Sequence, residues 1–148
     1  MKNILIPIDG SVYSNKALEL GREIAREFDS SITVLNAIHV AMPVIAMSHS
    51  AVAIDNAFEK AELEKAREHS YELLQAAKDS FGDMADKVEM ICIEGDAVKS
   101  IVNYANANGI DLLIMGSHGL GAVLERLLVG SVTTKVLHQA EQPVLVVK

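Results

Sequence analysis

Short apolar runs alternate with longer amphipathic stretches along this chain. Asn3 to Ile8 is an apolar run stopped by Asp9-Gly10, which predicts a strand, and Pro7, lacking an N–H donor, belongs near its end. Ser11 or Ser14 can cap a following helix in which Ala17, Leu20, Ile24 and Phe28 recur at helical spacing. Asp29-Ser30 ends that helix, and Ser31 to Ile38 reads as a second strand. His39 to Ile54 has no clean period, and is either an ordinary variable connection or a flap over a ligand. From Asp55 an amphipathic helix is expected, with Leu63, Ala66, Leu73, Ala77 and Phe81 on one face and a charged face opposite, stopped by Gly82-Asp83.

The second half repeats the rhythm. Val88 to Ile93 predicts a strand, Asp96 a cap for a helix carrying Val98, Ile101, Val102 and Ala105, and Gly109 a left-handed stop. Asp111 to Met115 is a nearly continuous apolar strand, as in sheets covered on both faces. A glycine-rich loop spans Gly116 to Gly130, with a short helical segment around Val123–Leu128. Ser131 is expected to cap a last helix through Leu137, and Val144 to Val147 forms the final strand after Pro143. Five strands alternating with helices predict an α/β fold: a doubly wound five-stranded parallel sheet with helices on both faces. A strand order 3-2-1-4-5, expected of the fold class, would open a ligand crevice between the first and fourth strands.

Composition narrows the function. The 148 residues suit one domain, 1–148, and 50% of them are apolar while only 4% are aromatic, so aliphatic side chains must fill the core. A formal charge of −7 without any Lys/Arg block argues against nucleic acid or an anionic membrane as partner. Cys92, the one cysteine, has no internal disulfide partner and is expected in the core, and the Cys/His spacing suggests no metal held by protein side chains. No targeting or membrane-spanning segment is read, so a cytoplasmic location is expected.

Two segments converge on the expected crevice. After the first strand, Asp9 is either an acceptor for ribose hydroxyls or a turn-former and helix cap. After the fourth, Gly116 and Gly119 can bring backbone close to a ligand, and Gly130-Ser131-Val132 offers N–H groups at a helix start, where the dipole favours an anion. The P-loop lysine and the GxGxxG pattern are both missing. His118 lies inside the loop, where it can touch a phosphate or donate to a backbone carbonyl.

The stretch Gly116-Ser117-His118-Gly119, a ten-residue gap and then Gly130-Ser131 resembles the glycine motif of the universal stress proteins, whose nucleotide-binding members have a gap of nine. The start Ile4-Leu5-Ile6-Pro7-Ile8-Asp9-Gly10-Ser11 and the ending Gln142-Pro143-Val144-Leu145-Val146-Val147 also look like this family, so the resemblance spans the chain. It implies an adenine nucleotide alpha hydrolase-like fold and the ATP-binding branch of the family. On matching positions, it implies that Asp9 bonds the ribose or adenosine over a floor of Pro7 and Ile8. The backbone of Ala37 would meet the adenine edge, with Met115 near the base. Gly116 and Gly119 would approach the ribose and first phosphates, and Gly130, Ser131, Val132 and Thr133 would form the anion-binding helix start.

ATP is therefore the expected cofactor, with Mg2+ or Mn2+ accompanying its phosphates. A nucleotide-dependent sensor or switch in a stress response is the leading function, with slow hydrolysis compatible with it. A Mg-dependent ATP hydrolase or phosphotransferase is one alternative, and a nucleotide-independent dimeric interaction module is another. The resemblance also implies a homodimer formed through the C-terminal strand 144–147.

Overall fold

β1 (Asn3–Pro7) ends on a proline, which leaves the ladder without a donor at that one position. The computed structural model describes residues 1–39, 52–120 and 129–148. Most of the irregular stretch between His39 and Ile54, and the helical segment expected around Val123–Leu128, lie outside the described residues.

After β1 come α1 (Val12–Phe28), β2 (Ser31–Ile38) and α2 (Val52–Asp79), which begins three residues before the expected Asp55. A 3-10 turn (Gly82–Lys87) leads into β3 (Val88–Glu94) and α3 (Ala97–Ala107). β4 (Leu112–Gly116), α4 (Ser131–Gln139) and β5 (Val144–Val147) follow. The sheet has five strands, all parallel, in the order β3-β2-β1-β4-β5. This is the order expected for the fold class, with β1 at the centre and β3 and β5 at the edges.

Alternation along the strands divides the core. Ile4, Ile6, Ile8, Ile32, Val34 and Ile114 face α1 and α2, where they meet Ala17, Leu18, Leu74, Ala77 and Phe81. Leu5, Leu35, Leu113 and Met115 face α3, and meet Val98, Ile101 and Ala105, with Val136 of α4. Ile4, Leu5 and Ile6 are fully buried; removal of each such side chain from water contributes about 1.5–3 kcal/mol.

The buried stripe of α1 differs from the expected one. Ser14, Ala17, Leu18, Gly21 and Ala25 face the sheet, while Phe28 is exposed. Small residues let the helix lie close: a Cβ on Gly21 would collide with Ile6 Cδ1. Cys92 is exposed instead of buried. It lies on β3, an edge strand flanked by β2 alone, so an apolar run there does not become two-sided burial.

Candidate functional site

The crevice opens where the chain leaves β1 and β4 toward opposite faces of the sheet, since α1 packs on one face and α4 on the other. β1 and β4 pair only through Ile4↔Leu112 and Leu5↔Leu113, so their C-terminal ends diverge. Diverging loops at such a point leave a ligand-sized space, here about 410 Å³.

Pro7, Ile8 and Asp9 line it from the end of β1, Leu35, Asn36 and Ala37 from β2, and Met115 and Gly116 from β4. Gly119 and Leu120 come from the following loop, Gly130, Ser131, Val132 and Thr133 from the start of α4, and Ala97 and Ile101 from α3. Every residue singled out from sequence as a candidate site residue lies on this one cleft. Arg126, the one arginine of the glycine-rich loop, lies outside the described residues.

On the β1 side the turn is built by short polar side chains. Gly10 takes the left-handed φ of 82° that the turn requires, and Ser11 caps α1 by accepting from Ser14 N at 3.1 Å. Asp9 is therefore not the cap. Its Oδ1 accepts from Ser11 N at 3.0 Å, and its Oδ2 accepts from Leu120 N at 3.1 Å. One carboxylate thus braces its own turn and ties it to the loop after β4.

The glycines are placed where side chains would collide with protein. A Cβ on Gly116 would lie 2.7 Å from the carbonyl carbon of Tyr13 and 2.9 Å from Ser14 N. Gly130 N donates to Ser117 O at 2.7 Å, and Ser117 N donates to Val147 O at 2.7 Å, which fastens the loop both to α4 and to β5. Thr133 Oγ1 donates to Gly116 O at 2.9 Å.

Gly130, not Ser131, occupies the N-cap of α4, and Ser131 is its first helical residue. No side chain caps this end; the Thr133 hydroxyl is turned to Gly116 instead. The first intrahelical bond runs from Thr134 N to Gly130 O, so the N–H groups of Ser131, Val132 and Thr133 have no helical partner. Among the described lining residues Asp9 is the one carboxylate, and no Lys or Arg is present. An anion in the cleft would be held by backbone N–H groups and the α4 dipole.

His118 lies between the two sides. Its Nδ1 is 2.9 Å from Ser117 Oγ, its ring centroid is 5.0 Å from that of Tyr13, and its Nε2 is buried without a partner among the described residues. Asn36 escaped the sequence reading. Its buried amide donates to Ile8 O at 2.7 Å; a polar residue near the C-terminal end of β2 was the only signal available.

Open doubly wound α/β sheets bind ligands in the crevice at their strand-order reversal, and the cleft of this chain lies there. The profile of the universal stress protein family matches residues 1–148, and the chain belongs to that family. Universal stress protein MJ0531 of Methanocaldococcus jannaschii is 33% identical over 147 residues, covering 99% of this chain and 82% of the relative. Universal stress protein YxiE of Bacillus subtilis is 28% identical over 145 residues, covering 98% and 97%. The solved structure of MJ0577, also from Methanocaldococcus jannaschii, superposes with a TM-score of 0.82 at 30% identity, covering 99% of this chain and 95% of that one.

Proposed function

We propose that this chain binds ATP in the cleft and acts as a nucleotide-dependent sensor or switch in a stress response. One observation carries the reading: strand ends and glycines far apart in sequence, at the positions the family resemblance assigns to nucleotide, line the same 410 Å³ space. That space lies within the range of about 300–1,000 Å³ usual for small-molecule sites. In this reading Ala37 and Met115 receive the base, Asp9 the ribose, and the N–H groups of Ser131 to Thr133, which have no helical partner, the phosphates.

The donor set suits a metal carried by the phosphates better than one held by the protein. Among the described residues no group of three or more His, Cys, Asp or Glu side chains could hold a metal ion. Mg2+ or Mn2+ would arrive with the nucleotide and meet at most the Ser131 hydroxyl and Asp9. Rapid hydrolysis is not part of the proposal, because Asp9 already accepts two N–H groups and no second carboxylate lines the described cleft. The protein is further proposed to pair with a second copy through β5, an edge strand whose four residues are only half-buried. Among the described residues no helix is long and apolar enough to cross a membrane.

Native mass spectrometry of gently purified protein, followed by titration with Mg-ATP, tests the reading. One adenine nucleotide per subunit is expected. A flat titration would overturn it and leave an interaction module whose glycines serve only the close approaches at Tyr13 and Asp9.

A further inference from the structure

The pairing of β1 with β2 stops just short of Ala37, and a side chain stands at the point where it stops. Their pairing ends at Pro7↔Leu35, although Ile8 N still donates to Leu35 O at 2.8 Å. In a parallel ladder a residue that donates to the partner strand also accepts from it two residues further on. The next bond would therefore run from Ala37 N to Ile8 O. Instead Asn36 Nδ2 donates to Ile8 O at 2.7 Å, and it is buried there. The Ile8 carbonyl thus meets a side chain of β2 where the ladder would bring the Ala37 N–H.

Alternation fixes which way the freed groups point. Leu35 O faces β1, where it receives Ile8 N, whereas Ile38 O faces β3, where it receives Gly95 N at 2.9 Å. Ala37 shares the parity of Leu35, so its N–H and C=O face β1. β1 has ended at that level, and the space beyond it is the cleft that Ala37 and Met115 both line. Among the described residues neither group has a backbone partner, so half-buried Ala37 offers one donor and one acceptor, side by side, to the cleft.

We propose that Asn36 is a positioning residue for base recognition: its amide holds β1 away from β2, so that the Ala37 N–H and C=O remain open to a purine edge. The order of these groups selects the base. Adenine presents an acceptor at N1 beside the donor at its 6-amino group, which complements a backbone N–H and C=O. Guanine presents a donor and then an acceptor, and meets like with like at both positions. The inference rests on the reading of the cleft as a nucleotide site and adds to it a reason for adenine selectivity that lies in a side chain the base does not touch.

Isothermal titration of the full chain with ATP, GTP and inorganic tripolyphosphate, for wild type and Asn36→Ala, tests it. Wild type is expected to prefer ATP to GTP by about tenfold or more, the worth of one or two matched hydrogen bonds. Asn36→Ala should bring ATP affinity down to that for GTP while tripolyphosphate affinity stays unchanged, a split that general loosening of the fold would not produce. Selectivity that survives in Asn36→Ala overturns the inference alone. A wild type that binds neither nucleotide overturns the nucleotide reading and this inference with it. Should the variant not fold, amide exchange in wild type decides. The Ala37 N–H should exchange quickly in the free protein and slow on saturation with ATP, and protection already present in the free protein would refute the idea.

Discussion

A Cβ on Gly119 would lie 2.7 Å from Oδ2 of Asp9, the same oxygen that accepts the Leu120 N–H at 3.1 Å. The carboxylate and the glycine are fitted to each other across the mouth of the cleft. Gly119→Ala should therefore push the loop off the carboxylate and break the Leu120 bond. Asp9→Asn should lose one of the two N–H contacts, because one oxygen becomes a donor. Hydrogen bonds to charged groups are worth about 1.5–3 kcal/mol, and each variant should lose part of that in urea denaturation and also bind ATP more weakly. Full stability and affinity in Gly119→Ala would show that the approach is not a constraint.

Gly116 is hemmed in by less yielding atoms, because its Cβ would meet the backbone of Tyr13 and Ser14 together with Tyr13 Cβ. Backbone at the start of a capped helix cannot swing aside as a side-chain end can. Gly116→Ala is expected to cost about 1–3 kcal/mol, as overpacking does. Gly82→Ala, which meets no atom but sits at a φ of 57°, should cost only the backbone strain. The two unfolding curves, compared in the same denaturant, test this.

At the opposite end of the sheet, Asp111 Oδ2 accepts from Lys2 N at 2.6 Å and Asn3 N at 3.0 Å. The Lys2 N–H first, then the Asn3 N–H, hold its carboxyl below the usual carboxylate range, with a smaller contribution from the N-terminal charge. Its folded value thus lies below the unfolded one. The stabilisation is present above the ordinary aspartate value of about 3.9 and is lost as acid carries the pH down through the folded value. Asp111→Asn should be less stable than wild type near neutral pH, and the difference should shrink below about pH 4. Melting temperatures taken through the acid range check this, and parallel curves would refute it.

β5 lies at the sheet edge, with Val146 opposite Met115 on its one partner strand. If the outer edge pairs with a second copy, Val146→Asp should shift sedimentation toward the monomer. An unchanged dimer would move the interface elsewhere.

The boundaries of β2, the end of α1 at Asp29, Ser11 as one of two candidate caps and the cap at Asp96 were legible in sequence, because each is decided by a local preference. What escaped depends on partners distant in the chain. The Asp9–Leu120 bond spans 111 positions and Asn36–Ile8 spans 28, and no pattern of spacing announces either. Ser131 is an apt capping residue by type, yet Gly130 holds that position because its N–H is drawn to Ser117. Phe28 fitted the helical period and is nevertheless exposed, since small residues decided which face of α1 approaches the sheet.

The central position of β1 has a consequence for synthesis. Its neighbour on one side, β2, follows within forty residues, but its neighbour on the other side begins only at Leu112. A nascent chain cut short before that point carries Ile4, Leu5 and Ile6 on a bare strand edge, with unpaired N–H and C=O groups beside them. Such fragments are prone to stick to one another or to a chaperone, and the crevice cannot form until β4 has left the ribosome and docked.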